Sequence, residues 1–145
     1  RAGDRAVKAI DVALLDARGR ALEGHLRRVE AALPAAPETF RHGIAVFDVV
    51  TFNLLLSIQI VLDLGIHACI HHGLQAPSSY DDAFARLEHA GVIADPIADH
   101  LEKAAAFRDA CVHAFDQVDP LAIHRAARVL PTDLRGFMAA LRAAL

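Results

Sequence analysis

Residues 44–72 read IAVFDVVTFNLLLSIQIVLDLGIHACIHH, and this stretch decides the fold. It is too long for one strand, and Ile44 to Ile70 is apolar almost all round. Only a helix buried on most sides accommodates that pattern, so it must lie in a bundle centre or a subunit interface. Residues 49–62 carry no charge, but 14 residues fall short of the roughly 20 a membrane span needs, and Asp48 and Asp63 close the run. A membrane helix is therefore not expected. The polar positions Gln59, Asp63, His67 and His71 step by four and line one edge. The helix is predicted from about Glu38 or Thr39 to His72, with Gly73 as its stop.

Working outward, about Asp4 to Leu33 repeats apolar residues at helical spacing. Val7, Ile10, Leu14, Ala17 and Ala21 form one stripe, continued by Leu22, Leu26, Val29 and Leu33, before Pro34 and Pro37 end the helix. Beyond the central helix, Ser78 or Ser79 caps a short helix of about Tyr80 to His89, with Gly91 after it. Asp95-Pro96 opens a fourth helix to about Gln117, and Asp119-Pro120 repeats the signal for a fifth. Pro131 is expected to break or kink the fifth helix. The expectation is a single all-α domain over residues 1–145, an up-and-down bundle of about five helices.

Composition supports this and narrows function. The 145 residues are 54% hydrophobic and 6% aromatic, a composition favouring helices over sheets. A net charge of −3 argues against a bulk electrostatic nucleic-acid binder, though not against a local basic site. Cys69 and Cys111 sit in apolar helical patterns and are read as buried free thiols of a reducing, cytoplasmic compartment. The N-terminal stretch alternates charged and apolar residues, so no secretory signal is expected.

The chemistry concentrates in the fourth helix. Its stripe runs Ile97, Leu101, Ala104, Arg108, Cys111, Phe115, Val118, and the arginine is the odd member. A guanidinium in a core stripe is costly unless paired or facing a cleft. Asp63 of the central helix is one candidate partner. His113 lies five residues on, about 140° around an α-helix. One helix does not bring the two together, whereas two copies packed about a two-fold axis could. His113 is expected beside Glu102, Asp109 and Asp116, and Phe115 is expected in the core. Spacing of i, i+4 would allow Asp63 with His67, or His67 with His71, to ligate a metal. No third ligand set is evident, so no metal site is expected. His71-His72 more simply serve the helix C-terminus. His25, His42, His89, His100 and His124 are read as solvated.

Arg108-Asp109-Ala110-Cys111-Val112-His113 resembles the Arg-x4-His motif of HEPN domains. The context is similar to the HepT branch, ribonuclease toxins paired with minimal nucleotidyltransferase antitoxins. Gln59, Asp63 and His67 resemble the polar edge of that branch's second helix. Ser79, Tyr80, Ala83 and Phe84, then Gly91-Val92-Ile93, resemble its third helix and following loop. The likeness runs from about residue 5 to 142. It implies a HEPN-like helical bundle forming a two-fold homodimer, with a cleft at the axis and no cofactor. It implies metal-independent RNA cleavage, with Arg108 and His113 as the catalytic pair and Asp63, His67, Asp109 and Phe115 around them. His113 would move protons at the ribose 2′-hydroxyl and the leaving oxygen, and Arg108 would hold the phosphate. Two positions depart from the branch. Phe115 stands where a tyrosine hydroxyl receives adenylyl groups from the antitoxin, and Asp109 replaces an asparagine. Asp109 would favour a protonated His113 and repel phosphate. These departures, with the acidic net charge, keep a second expectation open: a catalytically silent binding module serving a nucleotidyltransferase.

Overall fold

The computed structural model describes the backbone of residues 2–145 and the side chains of residues 12–145. It contains helices α1 (Ala2–Ala32), α2 (Pro37–His42), α3 (Ile44–His71), α4 (Tyr80–His89), α5 (Asp95–His113) and α6 (Pro120–Ala143). A 3₁₀ turn, Phe115–Gln117, links the last two, and no strand occurs among the described residues.

The central apolar helix is α3, and it packs against all five others. Val50, Leu54, Ile58, Val61 and Cys69 are fully buried. Length and hydropathy alone would let α3 cross a membrane. Its buried polar residues and the helices around it instead make it the bundle's core element. Ser57 Oγ donates to the Asn53 carbonyl at 2.7 Å, and the Asn53 side chain is held by His25 Nδ1 at 2.9 Å and the Val49 carbonyl at 2.8 Å. Thr51 Oγ1 is buried with no partner among the described residues.

The single helix expected from Glu38 or Thr39 to His72 is two helices. Gly43 leaves helical geometry (φ −98°, ψ 83°) and its amide closes α2 on the Thr39 carbonyl. The bend carries Phe40 into the core while leaving Ile44, in the first turn of α3, 78% exposed. The other end behaves as expected. Gly73 takes φ +68°, and the Leu74 amide reaches back to the Cys69 carbonyl at 2.9 Å. Gly65, inside α3, permits close packing, since a Cβ there would lie 2.8 Å from Phe84 Cε1. The Phe84 ring then meets Phe137 of α6 edge-on at 5.8 Å.

In α1 the buried line is Leu15, Leu22, Leu26 and Val29, while Ala17 and Ala21 are exposed. The expected stripe was thus out of phase in its first half, where small alanines imitate an apolar face. Its members Val7 and Ile10 lie outside the described side chains. Pro131 neither breaks nor splits α6. It is buried, and packing of Leu130, Leu134 and Phe137 holds the helix through it. Arg135 staples α6 to α1, donating to Glu23 at 2.9 Å and 3.0 Å and to Glu30 at 3.1 Å. The guanidinium draws both carboxyls below the usual glutamate range.

Three of the five scattered histidines are not simply solvated. His25 bonds Asn53, His100 pairs with Asp133 at 2.8 Å, and His124 is buried, donating to the Pro34 carbonyl at 2.8 Å. His124 thereby ties the turn after α1 to α6.

Candidate functional site

The fourth expected helix is α5, and it stops at His113 instead of reaching Gln117. Ala94, not Asp95, occupies its N-cap, and Pro96 sits in its first turn. Leu101, Ala104 and Cys111 of the expected stripe are buried. Arg108 interrupts them at the surface edge, its side chain 26% exposed, and donates to Asp109 Oδ1 at 3.0 Å. Asp63 is not its partner.

Asp63 belongs to a separate hydrogen-bonded set between α3 and α4. Gln59 Nε2 donates to Asp63 Oδ1 at 2.9 Å and to the Tyr80 hydroxyl oxygen at 3.1 Å, and that hydroxyl donates to the same Asp63 oxygen at 3.5 Å. Tyr80 is placed at the first position of α4 by its Ser79 cap, whose hydroxyl accepts from the Asp82 amide. An open groove follows, walled by Asp63, Ile66, Pro77, Ser79, Tyr80 and Asp109. It brings the α3 polar edge to the residue beside Arg108. Sequence spacing singled out the two aspartates separately, but nothing in it joins Tyr80 to Asp63, because that contact crosses from α3 to α4 between residues 17 apart.

His67 lies elsewhere. It lines a small apolar cavity with Leu15, Leu64, His71, His72 and Leu141. Steps of four advance about 400° per step, so a line from Gln59 to His71 winds about 120° around α3. Gln59 and Asp63 therefore face α4, and His67 and His71 face α1 and α6. His72 stacks edge-on against His71 at 5.0 Å, and burial, aided by the neighbouring ring, lowers its pKa. Among the described residues no group of three or more His, Cys, Asp or Glu side chains is placed to hold a metal ion.

His113 is the last residue of α5 and is exposed. Among the described residues it makes no hydrogen bond or ion pair, so neither Asp109 nor Asp116 holds it. Since α5 is α-helical throughout, Arg108 and His113 point about 140° apart. A single chain does not bring them together.

Phe115 was expected in the core, yet it is 45% exposed. Termination of α5 at Ala114 (φ −144°, ψ 45°) lifts it out of the helical register. Its ring lies 5.9 Å from Phe47, which lies 5.2 Å from the buried Phe40. Elsewhere on these helices, Val46, Val49 and Phe52 of α3 and Val112 of α5 are also exposed, Phe52 to 63%. On α3 the series Val49, Phe52, Leu56, Gln59, Asp63 follows helical spacing, so the apolar face begun by Val49 and Phe52 runs into the polar groove. Both thiols are free and buried, and desolvation raises their pKa values, so neither is a poised nucleophile.

A family model described as ribonuclease HepT-like matches residues 22–141. Among solved structures, the chain is similar to a tri-AMPylated Shewanella oneidensis HEPN toxin in complex with an MNT antitoxin. That match has 19% identity, covers 90% of this chain and 97% of that one, and has a TM-score of 0.82. A toxin–antitoxin structure with AMP-PNP matches at 21% identity, covering 90% and 98%, with a TM-score of 0.79. YutE of Bacillus subtilis, described as a cytosolic protein of unknown function, matches at 21%, covering 90% and 89%, with a TM-score of 0.73. At these identities the likeness establishes the fold, which is the expected HEPN-like all-α bundle. No curated protein sequence matches the chain.

Proposed function

The chain belongs to the ribonuclease HepT-like family, and on that premise we propose that it is the toxin of a toxin–antitoxin pair, a metal-independent endoribonuclease acting as a homodimer in the cytoplasm. The carrying observation is the split of Arg108 and His113 around α5, beside an exposed apolar patch. A second copy seated on Val49, Phe52 and Val112 would remove that patch from water and set the Arg108 of one chain opposite the His113 of the other.

In such a cleft His113 takes the proton from a ribose 2′-hydroxyl. The 2′-oxygen attacks the adjacent phosphorus, and the 5′-oxygen leaves with a returned proton. Arg108 forks onto the phosphate oxygens and stabilises their developing charge. Affinity for RNA would come from these few cations, since the net charge is −3.

A minimal nucleotidyltransferase is the proposed partner and antitoxin, as in the toxin–antitoxin complexes that share this fold. Phe115 has no oxygen, so no adenylyl group can be attached there. Neutralisation would rest on complex formation or on another residue.

One observation favours a second reading. The 3.0 Å pair of Arg108 with Asp109 partly neutralises the cation that would meet phosphate, which suits a catalytically silent binding subunit of a nucleotidyltransferase. Induction of the chain, alone and as His113→Ala, while growth and RNA integrity are followed, separates the two. Growth arrest with RNA cleaved by wild type and not by the variant supports the nuclease. Intact RNA with both chains removes it and leaves the binding subunit.

A further inference from the structure

The groove beside Arg108 has three kinds of wall. Tyr80, Pro77 and Ile66 supply flat or apolar surface, Asp63 and Asp109 supply carboxylates, and the Ser78 and Ser79 hydroxyls between them are both engaged with Asp82 in the first turn of α4. Phosphate is repelled by both acids, so the backbone of a nucleic acid does not belong there. A base does, because its faces stack on apolar and aromatic side chains and its edge carries hydrogen-bonding groups.

The carboxylates decide which base. Gln59 and Tyr80 both use Oδ1 of Asp63, and Arg108 uses Oδ1 of Asp109. Among the described residues the Oδ2 atom of each has no hydrogen-bond partner. Each ionised oxygen accepts and cannot donate. The complementary edge must offer adjacent N–H groups and no facing acceptor. Guanine does so through N1–H and its 2-amino group. Adenine and cytosine set a ring-nitrogen acceptor beside their amine, and uracil flanks its single N–H with two carbonyls, so each offers a carboxylate one N–H at most and turns an acceptor toward its other oxygen. We infer that this groove is a guanine-selective base subsite, in which Asp63 accepts from the Watson–Crick edge, Tyr80 supplies the stacking face, and Asp109 forms the second acidic wall. As a substrate subsite it rests on the ribonuclease reading, because it would present the nucleotide adjoining Arg108.

The test uses a property of the composition. Tyr80 is the one tyrosine of a chain with no tryptophan, so NMR of an isotope-labelled tyrosine ring reports on this groove alone. The full chain is titrated with guanosine, adenosine, cytidine and uridine, and separately with a single-stranded RNA containing all four bases. Guanosine is expected to shift the ring signals with an affinity at least about tenfold above the other three. Asp63→Asn is expected to erase roughly that margin, the scale of losing a charge-assisted hydrogen bond. Asp63 is exposed, so the variant should fold, and Asp109→Asn serves as an independent second probe of the acidic wall. No shift with guanosine, equal shifts with all four nucleosides, or a margin untouched by Asp63→Asn overturns the subsite. RNA left uncut while guanosine still binds overturns the ribonuclease reading instead. RNA cut without regard to guanine overturns the subsite and leaves the ribonuclease standing.

Discussion

Arg108 donates to the carboxylate of its immediate neighbour, Asp109, at 3.0 Å, while Asp63 one helix away is taken by Gln59 and Tyr80. A guanidinium already facing a carboxylate meets phosphate with part of its charge spent, and the acid itself repels the substrate.

Removing that acid should therefore speed the reaction wherever guanine selection plays no part. Asp109→Asn is expected to raise kcat/KM on a guanine-free RNA by about tenfold, one charge-assisted contact's worth. Arg108→Ala is expected to abolish cleavage. Initial rates on a fluorogenic RNA check both. Slower cleavage by Asp109→Asn would mean that the aspartate orients Arg108 instead of restraining it.

Complementation tests the composite cleft. Arg108→Ala and His113→Ala chains, each inactive alone, should regain cleavage when mixed and allowed to exchange. A mixed dimer retains one intact Arg108 facing one intact His113 across the axis. If both groups acted within one chain, the mixture would stay silent.

Phe52 is 63% exposed on the apolar face of α3, between Val49 and Leu56. Phe52→Asp should convert a dimer to a monomer in sedimentation equilibrium and abolish growth arrest. Helical circular dichroism should be retained, because Phe52 is exposed within one chain, while Tm falls by what the association contributed and ceases to depend on chain concentration. A dimer that survives this substitution places the two-fold elsewhere.

Glu23 and Glu30 titrate below the usual range because Arg135 bonds both. Lowered carboxyl pKa values add stability above the unfolded-state value, near 4.3, and lose it as pH falls through the folded values. The wild type should therefore lose stability more steeply than Arg135→Met as pH drops from about 5 toward 3. Chemical denaturation across that window measures the difference, and parallel curves would mean the staple contributes nothing.

Gly65→Ala places a methyl carbon 2.8 Å from Phe84 Cε1, in a contact where two helices and a ring are already packed. The expected loss is about 1–3 kcal/mol, the range for overpacking a core, read as a fall in Tm. An unchanged Tm would show that Phe84 has room to retreat.

Much of this architecture was legible from periodicity. An unbroken apolar run marked α3, Asp119-Pro120 marked the start of α6, and Gly73 marked the end of α3. The misreadings have a common physical source in tertiary context. Gly43 could have been carried within a helix, and only the burial of Phe40 calls for the turn there. Phe115 fits the α5 stripe by spacing, but the helix unwinds one residue before it. Of the break or kink expected at Pro131, the break does not occur, because packing holds α6 through it. At the candidate site, the residue types and the angular separation of Arg108 and His113 were readable from one helix. The partner of Arg108 and the joining of Tyr80 to Asp63 were not, since side-chain choice among several nearby acids depends on three-dimensional distance.

The opposed directions of Arg108 and His113 on one rigid helix also set a rule of dosage. Under the composite-cleft reading, a solitary copy holds half of each required pair, and active units then form as the square of chain concentration. Trace synthesis would leave a cell untouched, whereas a burst, or the loss of whatever sequesters single copies, would switch on cleavage with a threshold that no separate sensor has to supply.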